Sequence, residues 1–278
     1  MEKMQKVNKV VFGLCLIGLS SCIACSSDNK SSAAKSSENE QILDTLTYKM
    51  QSFKEISPYF AVPSEEQVDT TKFTAYYPVF DEEINTLVKE SIYLDGEENM
   101  VQVSESFLTA FNEYAEDQIV AESGPLHAWF RDISCQVLLN TGKFLTLQNS
   151  ISEYTGGAHG IQVVVLSNYD VQEKKELALT DIVSDTVKLK SIAEKFFREQ
   201  ENLSETESFG KAYFFDNDNF ALADNFGLTK EGLLLYYNVY EIKPYADGPT
   251  SLLIPYAALS EVLTERVGLL AKNTSNIN

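Results

Sequence analysis

Residues 129–154, WFRDISCQVLLNTGKFLTLQNSISEY, decide the fold class that the sequence predicts. The stretch holds two runs of aromatic, aliphatic and polar residues, and Thr141-Gly142 separates them. Runs of this kind on either side of a short turn are typical of two neighbouring strands. We therefore expect a sheet at the centre of the chain.

Other elements are predicted on both sides of this pair from hydrophobic spacing. They are, in chain order, a strand at 46–50, helices at 84–92 and 107–114, a strand at 161–168, a helix that opens after Ser184-Asp185, strands at 233–240 and 251–255, and a helix at 259–267. Residues 201–226 are expected to form a long connection or surface lobe. The mixture predicts an α+β fold of mostly antiparallel sheets with packed helices, arranged as two small consecutive modules.

The N-terminus has the pattern of a bacterial lipoprotein signal. Three lysines lie among the first nine residues, and the uncharged apolar run that follows, 10–19, is shorter than the roughly 20 residues of a membrane-spanning helix. Leu19-Ser20-Ser21-Cys22 then matches a lipobox, whose cysteine receives a diacylglycerol. Cys25 is the alternative lipidation site, and a plain secretory signal or an uncleaved anchor is the alternative to lipidation.

These signals divide the chain and place it in the bacterial cell envelope, with inner or outer membrane left open. The expected parts are a signal peptide at 1–21, a lipidated cysteine and flexible serine-rich tether at 22–41, modules at 42–158 and 159–268, and a disordered tail at 269–278. The membrane is therefore an expected partner through the N-terminal lipid.

The charge restricts the class of ligand. The 278 residues contain 22 lysines and arginines, 41 acids and a formal net charge of -19. Removal of residues 1–21 takes away three lysines and one glutamate, so the mature chain carries 19 bases and 40 acids, a charge of -21. Such acidity repels phosphate backbones, which excludes nucleic acid, and attracts cationic partners. The oligomeric state is left open.

Motifs for catalysis are missing from the sequence. It has no Gly-x-Ser-x-Gly elbow, no dinucleotide-binding glycine pattern and no phosphate loop. His127 and His159 are the only histidines, so we expect no metal site, no cofactor and no enzymatic activity. After processing and lipidation only Cys25 and Cys135 remain, which excludes a disulfide framework and makes Cys135 a candidate buried core thiol.

The densest glycine cluster, Tyr154-Thr155-Gly156-Gly157-Ala158-His159-Gly160, lies between two predicted strands. Glycines there permit positive φ and the close approach of a ligand or another backbone. Tyr154, Gly156, Gly157 and His159 are thus candidate binding residues. The alternative is a tight turn whose histidine bonds a nearby carbonyl.

A second candidate segment is rich in tyrosine. Pro244 and Asp247-Gly248 predict a hairpin that brings four rings together. The tyrosines concerned are Tyr237, Tyr240, Tyr245 and Tyr256, of which the last three are candidate binding residues. The alternative is that they are core aromatics with hydroxyls at the rim.

These segments carry a family resemblance. Four motifs recur in order: Tyr154-x-Gly156-Gly157-Ala158-His159-Gly160, Asn225-Phe226-x-Leu228-Thr229-x-x-Gly232-Leu233, Tyr240-Glu241-Ile242-x-Pro244-Tyr245-Ala246-x-Gly248 and Ile254-Pro255-Tyr256. About residues 42–265 resemble the tandem of uncharacterised domains in the extracytoplasmic part of RsiV-type lysozyme-sensing anti-sigma factors. A related module precedes the catalytic domain of a peptidoglycan deacetylase. The resemblance implies an envelope setting and binding to lysozyme or peptidoglycan, and it carries over no catalytic residue.

Here a lipobox replaces the membrane-spanning anchor of the anti-sigma factor, so we expect no sigma regulation by this chain alone. The sequence predicts a lipid-anchored, non-enzymatic module that binds a cationic, lysozyme-like protein or a peptidoglycan-related ligand. One alternative is a peptidoglycan-directed hydrolase or glycan-binding protein with a cleft near His159. Another is a structural envelope lipoprotein.

Overall fold

A computed structural model describes residues 45–60, 70–93, 96–210 and 212–275. They lie in one compact unit, Gln41–Asn278. The elements are β1 Lys49–Phe60, β2 Thr70–Val79, α1 Glu82–Tyr93, α2 Met100–Val120, β3 Phe130–Asn140, β4 Phe144–Tyr154, β5 Ile161–Asp170, β6 Lys175–Glu176, α3 Leu179–Ile182, α4 Thr186–Gln200, β7 Phe226–Leu228, β8 Gly232–Tyr237, β9 Thr250–Pro255, α5 Tyr256–Leu259 and α6 Glu265–Ser275.

The predicted central pair is an antiparallel hairpin of β3 and β4. Its turn is held by Thr141, whose Oγ1 accepts from the backbone N–H of Phe144 at 2.8 Å. The backbone N–H of Thr141 also donates to the carbonyl of Phe144 at 2.9 Å. A threonine that bonds its own turn in this way fixes where the two strands begin to pair.

The hairpin lies inside a six-stranded sheet of order β1-β2-β3-β4-β5-β6. All pairs are antiparallel except β2 and β3, which run parallel and are joined through α1 and α2. A three-stranded antiparallel sheet, β7-β8-β9, completes the strands of the described residues. The predicted α+β class with mostly antiparallel sheets is confirmed.

Helices α1 and α2 cover one face of the large sheet. Alternate strand residues such as Phe73, Ile133 and Leu147 are buried there against Val88 and Phe107 of the two helices. Cys135 belongs to the same core, is fully buried and is a free thiol, as predicted. Burial away from water raises its pKa to about 12, since an apolar core disfavours the thiolate.

The second core lies between the small sheet and α4, which begins after the predicted N-cap Asp185. Phe197 of α4 is fully buried among aromatic rings. Those rings belong to Phe209, Tyr213, Phe215, Phe220 and Tyr237. The described part of 201–226 is thus a long connection, as expected, but its rings fill a core instead of forming a surface lobe.

Several boundaries differ from prediction: the strand expected at 46–50 is β1, Lys49–Phe60, and the helix expected at 107–114 is α2, Met100–Val120. β8 ends at Tyr237, three residues early, and the last predicted helix is divided into α5 and α6. Between α5 and α6, residues 260–262 form a turn, and Leu263 is bridged to Val183. α6 continues to Ser275, into the range expected as a disordered tail, because buried Leu270 gives the helix an apolar face.

The lipobox with Cys22, the alternative Cys25 and the tether lie outside the described residues. The module boundary at 158/159 stays a prediction. It falls in the turn between β4 and β5, two strands that pair along their whole length.

Candidate functional site

The turn between β4 and β5 exposes His159. Gly156 and Gly157 have φ values of +99° and +96°, which side-chain-bearing residues rarely adopt. The hydroxyl of Tyr154 donates to the carbonyl of Gly157 at 3.1 Å. The glycines and this hydrogen bond fold the turn so that His159 lies at the surface.

The connection from β8 to β9 approaches this turn. Tyr240 has a φ of +69°, unusual for a tyrosine, and is 54 % exposed. Next to it Ile242 is buried, and its carbonyl accepts from the N–H of Phe214 at 2.9 Å. The buried isoleucine anchors the connection while Tyr240 projects into solvent.

Three rings from the two segments lie side by side and are here called the aromatic patch: His159 and Tyr245, which stack, and Tyr240, which is tilted against Tyr245. The His159 and Tyr245 centroids are 4.2 Å apart with 23° between the planes, and those of Tyr240 and Tyr245 are 5.4 Å apart. The Tyr245 hydroxyl donates to the carbonyl of Gly160 at 3.0 Å. Nδ1 of His159 lies 2.8 Å from the same carbonyl oxygen. One carbonyl thus holds both rings of the closer pair.

The charged side chains that face solvent beside the aromatic patch are acidic. Glu241 and Asp247 are exposed. Lys243, from the same connection, is only 15 % exposed and lies 3.9 Å from the Glu201 carboxylate. Its charge is therefore directed into the protein, which leaves the two acids to face solvent.

The other predicted site residues lie apart from the aromatic patch or at its margin. Tyr256 is buried, its hydroxyl donates to the carbonyl of Thr229 at 2.8 Å, and burial raises its pKa. Tyr237 is buried too and donates to the carbonyl of Ala221. Tyr154 is half-buried, and its ring stacks on Phe130 at 6.2 Å. The predicted crowding of four tyrosines therefore holds for Tyr240 and Tyr245 only.

Sequence reasoning missed two asparagines that hold the connection between β8 and β9 against β5, beside the aromatic patch. Asn238 accepts from the N–H of Val164 at 2.7 Å and donates to its carbonyl at 2.9 Å. Asn225 accepts from the N–H of Leu166 and donates to the Val164 carbonyl. Together they bond an edge of β5 as a neighbouring strand would. Asn225 opens one of the recurring motifs, which is a sequence signal, but its bonding partner was not deducible.

The contacts described for His159 are with the ring of Tyr245 and the carbonyl of Gly160. No serine, cysteine or carboxylate side chain of the described ranges is hydrogen-bonded to His159. Over the same ranges, no three His, Cys, Asp or Glu side chains are grouped so that they could hold a metal.

No helix in the described part of the chain is long and apolar enough to cross a membrane.

Comparison with family models gives two matches in tandem. Residues 64–162 match the model described as deacetylase PdaC, and residues 175–257 match the model described as a protein of unknown function, DUF3298. The resemblance to the tandem-domain modules is confirmed. No curated protein matches this chain significantly.

Two solved structures have a similar fold. A DUF3298 family member from Bacteroides fragilis NCTC 9343 matches with a TM-score of 0.65 and 24% identity, over 84% of this chain and 99% of its own. A DUF3298 family protein from Pseudomonas aeruginosa PAO1 matches with a TM-score of 0.57 and 20% identity, over 81% and 97%. At such identities the similarity establishes the fold alone.

Proposed function

We propose that this protein is a lipid-anchored, non-enzymatic binding protein of the bacterial cell envelope, and that the aromatic patch contacts a cationic protein. The PdaC and DUF3298 matches indicate an envelope-related module. The lipobox at Cys22 supplies the anchor. The partner is a protein outside the cytoplasm that, like lysozyme, carries a net positive charge.

The observation that carries the proposal is the exposed ring stack. His159 and Tyr245 come from segments 86 positions apart, and both are bonded to Gly160. Tyr240 extends the stack into solvent in a strained backbone conformation, a feature that concentrates at functional sites. Exposed tyrosines bury large area on binding and attract cations to their faces, so such a stack suits a protein interface.

Charge supports a cationic partner. A mature charge of -21 accelerates the approach of a basic protein, and Glu241 and Asp247 add negative charge next to the rings. Association should therefore slow as salt is added.

Binding is tested with a basic lysozyme as the probe and the full-length lipoprotein in non-ionic detergent. We expect retention at low salt, weaker retention at moderate salt, and about tenfold weaker binding for Tyr240→Ala. Tyr76→Ala, which removes an exposed tyrosine from the large sheet, is the matched control and should bind like the parent. No retention in either buffer, or equal loss in both variants, would contradict the proposal.

Anchoring is tested separately by fractionation. Cys22→Ala should move the protein from the membrane fraction or abolish lipid labelling, whereas Cys25→Ala should leave both unchanged. The reverse result would assign the lipid to Cys25.

The non-enzymatic part has its own test. If the protein were a peptidoglycan hydrolase with a cleft near His159, it would release soluble muropeptides from purified sacculi, and His159→Ala would abolish that release. We expect no release from either protein, because no serine, cysteine or carboxylate side chain of the described residues is hydrogen-bonded to His159.

A further inference from the structure

The large sheet has a second face, opposite α1 and α2. On β2, Phe73, Ala75 and Tyr77 are buried in the helix-covered core, so Thr74 and Tyr76 point the other way. Tyr76 is 47 % exposed. The register extends this alternation across the strands, since Tyr76 is paired with Ser52 of β1 and Ser134 of β3.

The small sheet covers only one end of this second face. Gly227 of β7 lies over Thr146 and Leu166, and a Cβ at position 227 would be 3.3 Å from Cγ2 of Thr146. Thr146 is fully buried there. The remainder, from β1 to the second half of β4, is called the sheet face. Its positions, read from the register and leaving out buried Pro78, are Met50, Ser52, Lys54, Ile56, Lys72, Thr74, Tyr76, Phe130, Asp132, Ser134, Gln136, Gln148, Ser150, Ser152 and Tyr154.

Hydroxyl and amide side chains dominate the middle of the sheet face. Serines at 134, 150 and 152 and glutamines at 136 and 148 line the central strands. The amide of Gln148 donates to the hydroxyl of Ser150 at 3.4 Å, a long bond that leaves most of their donors and acceptors for a ligand. A strand face packed against another protein layer would be apolar, so this polar face is open to solvent and accessible to a polar ligand.

Aromatic rings stand among these polar groups. Tyr76 projects from β2, and Phe130 and Tyr154 form a stacked pair at 6.2 Å where β3 and β4 meet the turn of the aromatic patch. Rings beside hydroxyl and amide groups are suited to sugars, because the apolar C–H side of a sugar stacks on a ring while its hydroxyls bond polar side chains.

The sheet face is not acidic, although the protein is. It holds two lysines, Lys54 and Lys72, and a single acid, Asp132, whose carboxylate accepts from the hydroxyl of Thr74. Neither lysine has an ion pair with any residue that the structure describes. Unpaired lysines on a strongly acidic chain favour a ligand with carboxylates, whose charge is opposite to that of the cationic partner proposed for the aromatic patch.

We propose that the sheet face binds an acidic glycan: an oligosaccharide of N-acetylated amino sugars that carries carboxylates, the chemistry of peptidoglycan fragments. Sugar rings lie on Tyr76 and on the Phe130–Tyr154 pair, N-acetyl and hydroxyl groups bond the serines and glutamines, and carboxylates meet Lys54 and Lys72. This surface is distinct from the aromatic patch, so either proposal stands without the other.

The test is a titration of the full-length lipoprotein, in non-ionic detergent, with soluble peptidoglycan fragments. We expect saturable binding that is about tenfold weaker in Tyr76→Ala and in the double variant Lys54→Gln/Lys72→Gln. Tyr76→Phe keeps the ring and should bind like the parent. Tyr240→Ala is the matched control on the aromatic patch and should also bind like the parent. Because Tyr76 is 47 % exposed, its truncation removes little core packing, and circular dichroism checks each variant.

Two comparison ligands separate the sources of affinity. A neutral hexamer of N-acetylglucosamine should bind more weakly than the fragments, and polyglutamate, which has carboxylates without sugars, should not compete. No fragment binding, equal binding by Tyr76→Ala, or full competition by polyglutamate would overturn the proposal. A failure to retain lysozyme would contradict the proposal for the aromatic patch and would leave the proposal for the sheet face unaffected.

Discussion

At the scale of single residues, Asp170 is a fully buried carboxylate. It ends β5 with no exposed surface, one carboxylate oxygen accepts from the N–H of Glu173 at 2.9 Å, and the other forms an ion pair with Arg266 of α6. Arg266 also pairs with Glu173. A buried carboxylate is tolerated when it is paired and hydrogen-bonded, so this arginine ties the C-terminal helix to the large sheet.

Arg266→Leu should lower the free energy of unfolding by about 3–5 kcal/mol, because it leaves a buried charge without its partner. Urea denaturation measures this. The double variant Asp170→Asn/Arg266→Leu should recover part of the loss. Lys188→Leu removes an exposed pair with Glu261 and should change stability by less than about 1 kcal/mol. If Arg266→Leu and Lys188→Leu lowered the free energy of unfolding equally, burial of the carboxylate would not determine the loss of stability.

At the scale of elements, an edge of β5 is completed by side chains. Asn225 and Asn238 bond the backbone of Val164 and Leu166, and Asn168 bonds β7 through the N–H of Leu228 at 2.7 Å. Three asparagines thus join the large sheet to the second half of the chain without a continuous ladder. The same bonds position the connection that carries Tyr240 and Tyr245.

Asn238→Ala should lower the free energy of unfolding by about 1–3 kcal/mol, since it leaves the N–H of buried Val164 without an acceptor. It should also accelerate amide exchange at Val164, which NMR measures. Asn219→Ala, on an exposed turn, is the control and should change neither quantity by a comparable amount. Unchanged exchange at Val164 would mean that the asparagine does not hold the edge.

Some helices and strands could be predicted from the sequence and others could not. β3, β4, α1, α2 and α4 were predicted because their periodicity is local: apolar positions recur every second residue or every third and fourth. β2 has the same alternation in Phe73, Ala75 and Tyr77, a usable signal that went unused. The divided C-terminal helix was not predictable, because Leu263, between its two parts, is bridged to Val183, which is far away in sequence.

At the scale of the molecule, the two predicted modules share a core. Leu139 and Phe144 of the central hairpin are buried in one cluster with Phe197 of α4 and Leu235 of β8. Neither half can unfold without exposing apolar surface of the other. We therefore expect a single calorimetric transition whose calorimetric and van't Hoff enthalpies agree. Two resolved transitions would show that the modules fold independently.

Acid should lower the stability of the protein through carboxylates that accept hydrogen bonds from lysine or arginine side chains. Hydrogen bonds from Arg266, Lys175 and Lys188 lower the pKa values of Glu173, Asp181 and Glu261, respectively. A group whose folded pKa lies below its unfolded value stabilises the fold above that unfolded value, 4.5 for glutamate and 3.8 for aspartate. That stability is lost as the pH falls through the lowered values.

Urea midpoints should therefore fall as the pH is taken from about 5 to about 3. Glu261→Gln removes one of the three groups and should make the midpoint less dependent on pH over this window. This comparison is needed because acid also removes the self-repulsion of a chain that is strongly negative. An identical pH profile in the two proteins would contradict the assigned role of Glu261.

The sequence by itself determined the acidity and predicted the lipobox and most of the regular elements, because each depends on residues close together in the chain or on totals. It also identified His159, Tyr240 and Tyr245 as candidates. Only the tertiary structure decided that these three rings lie side by side while Tyr256 is buried, and that Ser52, Tyr76 and Ser134 share a row of the sheet face. The reason is physical: strand partners, register and the covering of each face are set by contacts between segments far apart in sequence, which local periodicity does not contain.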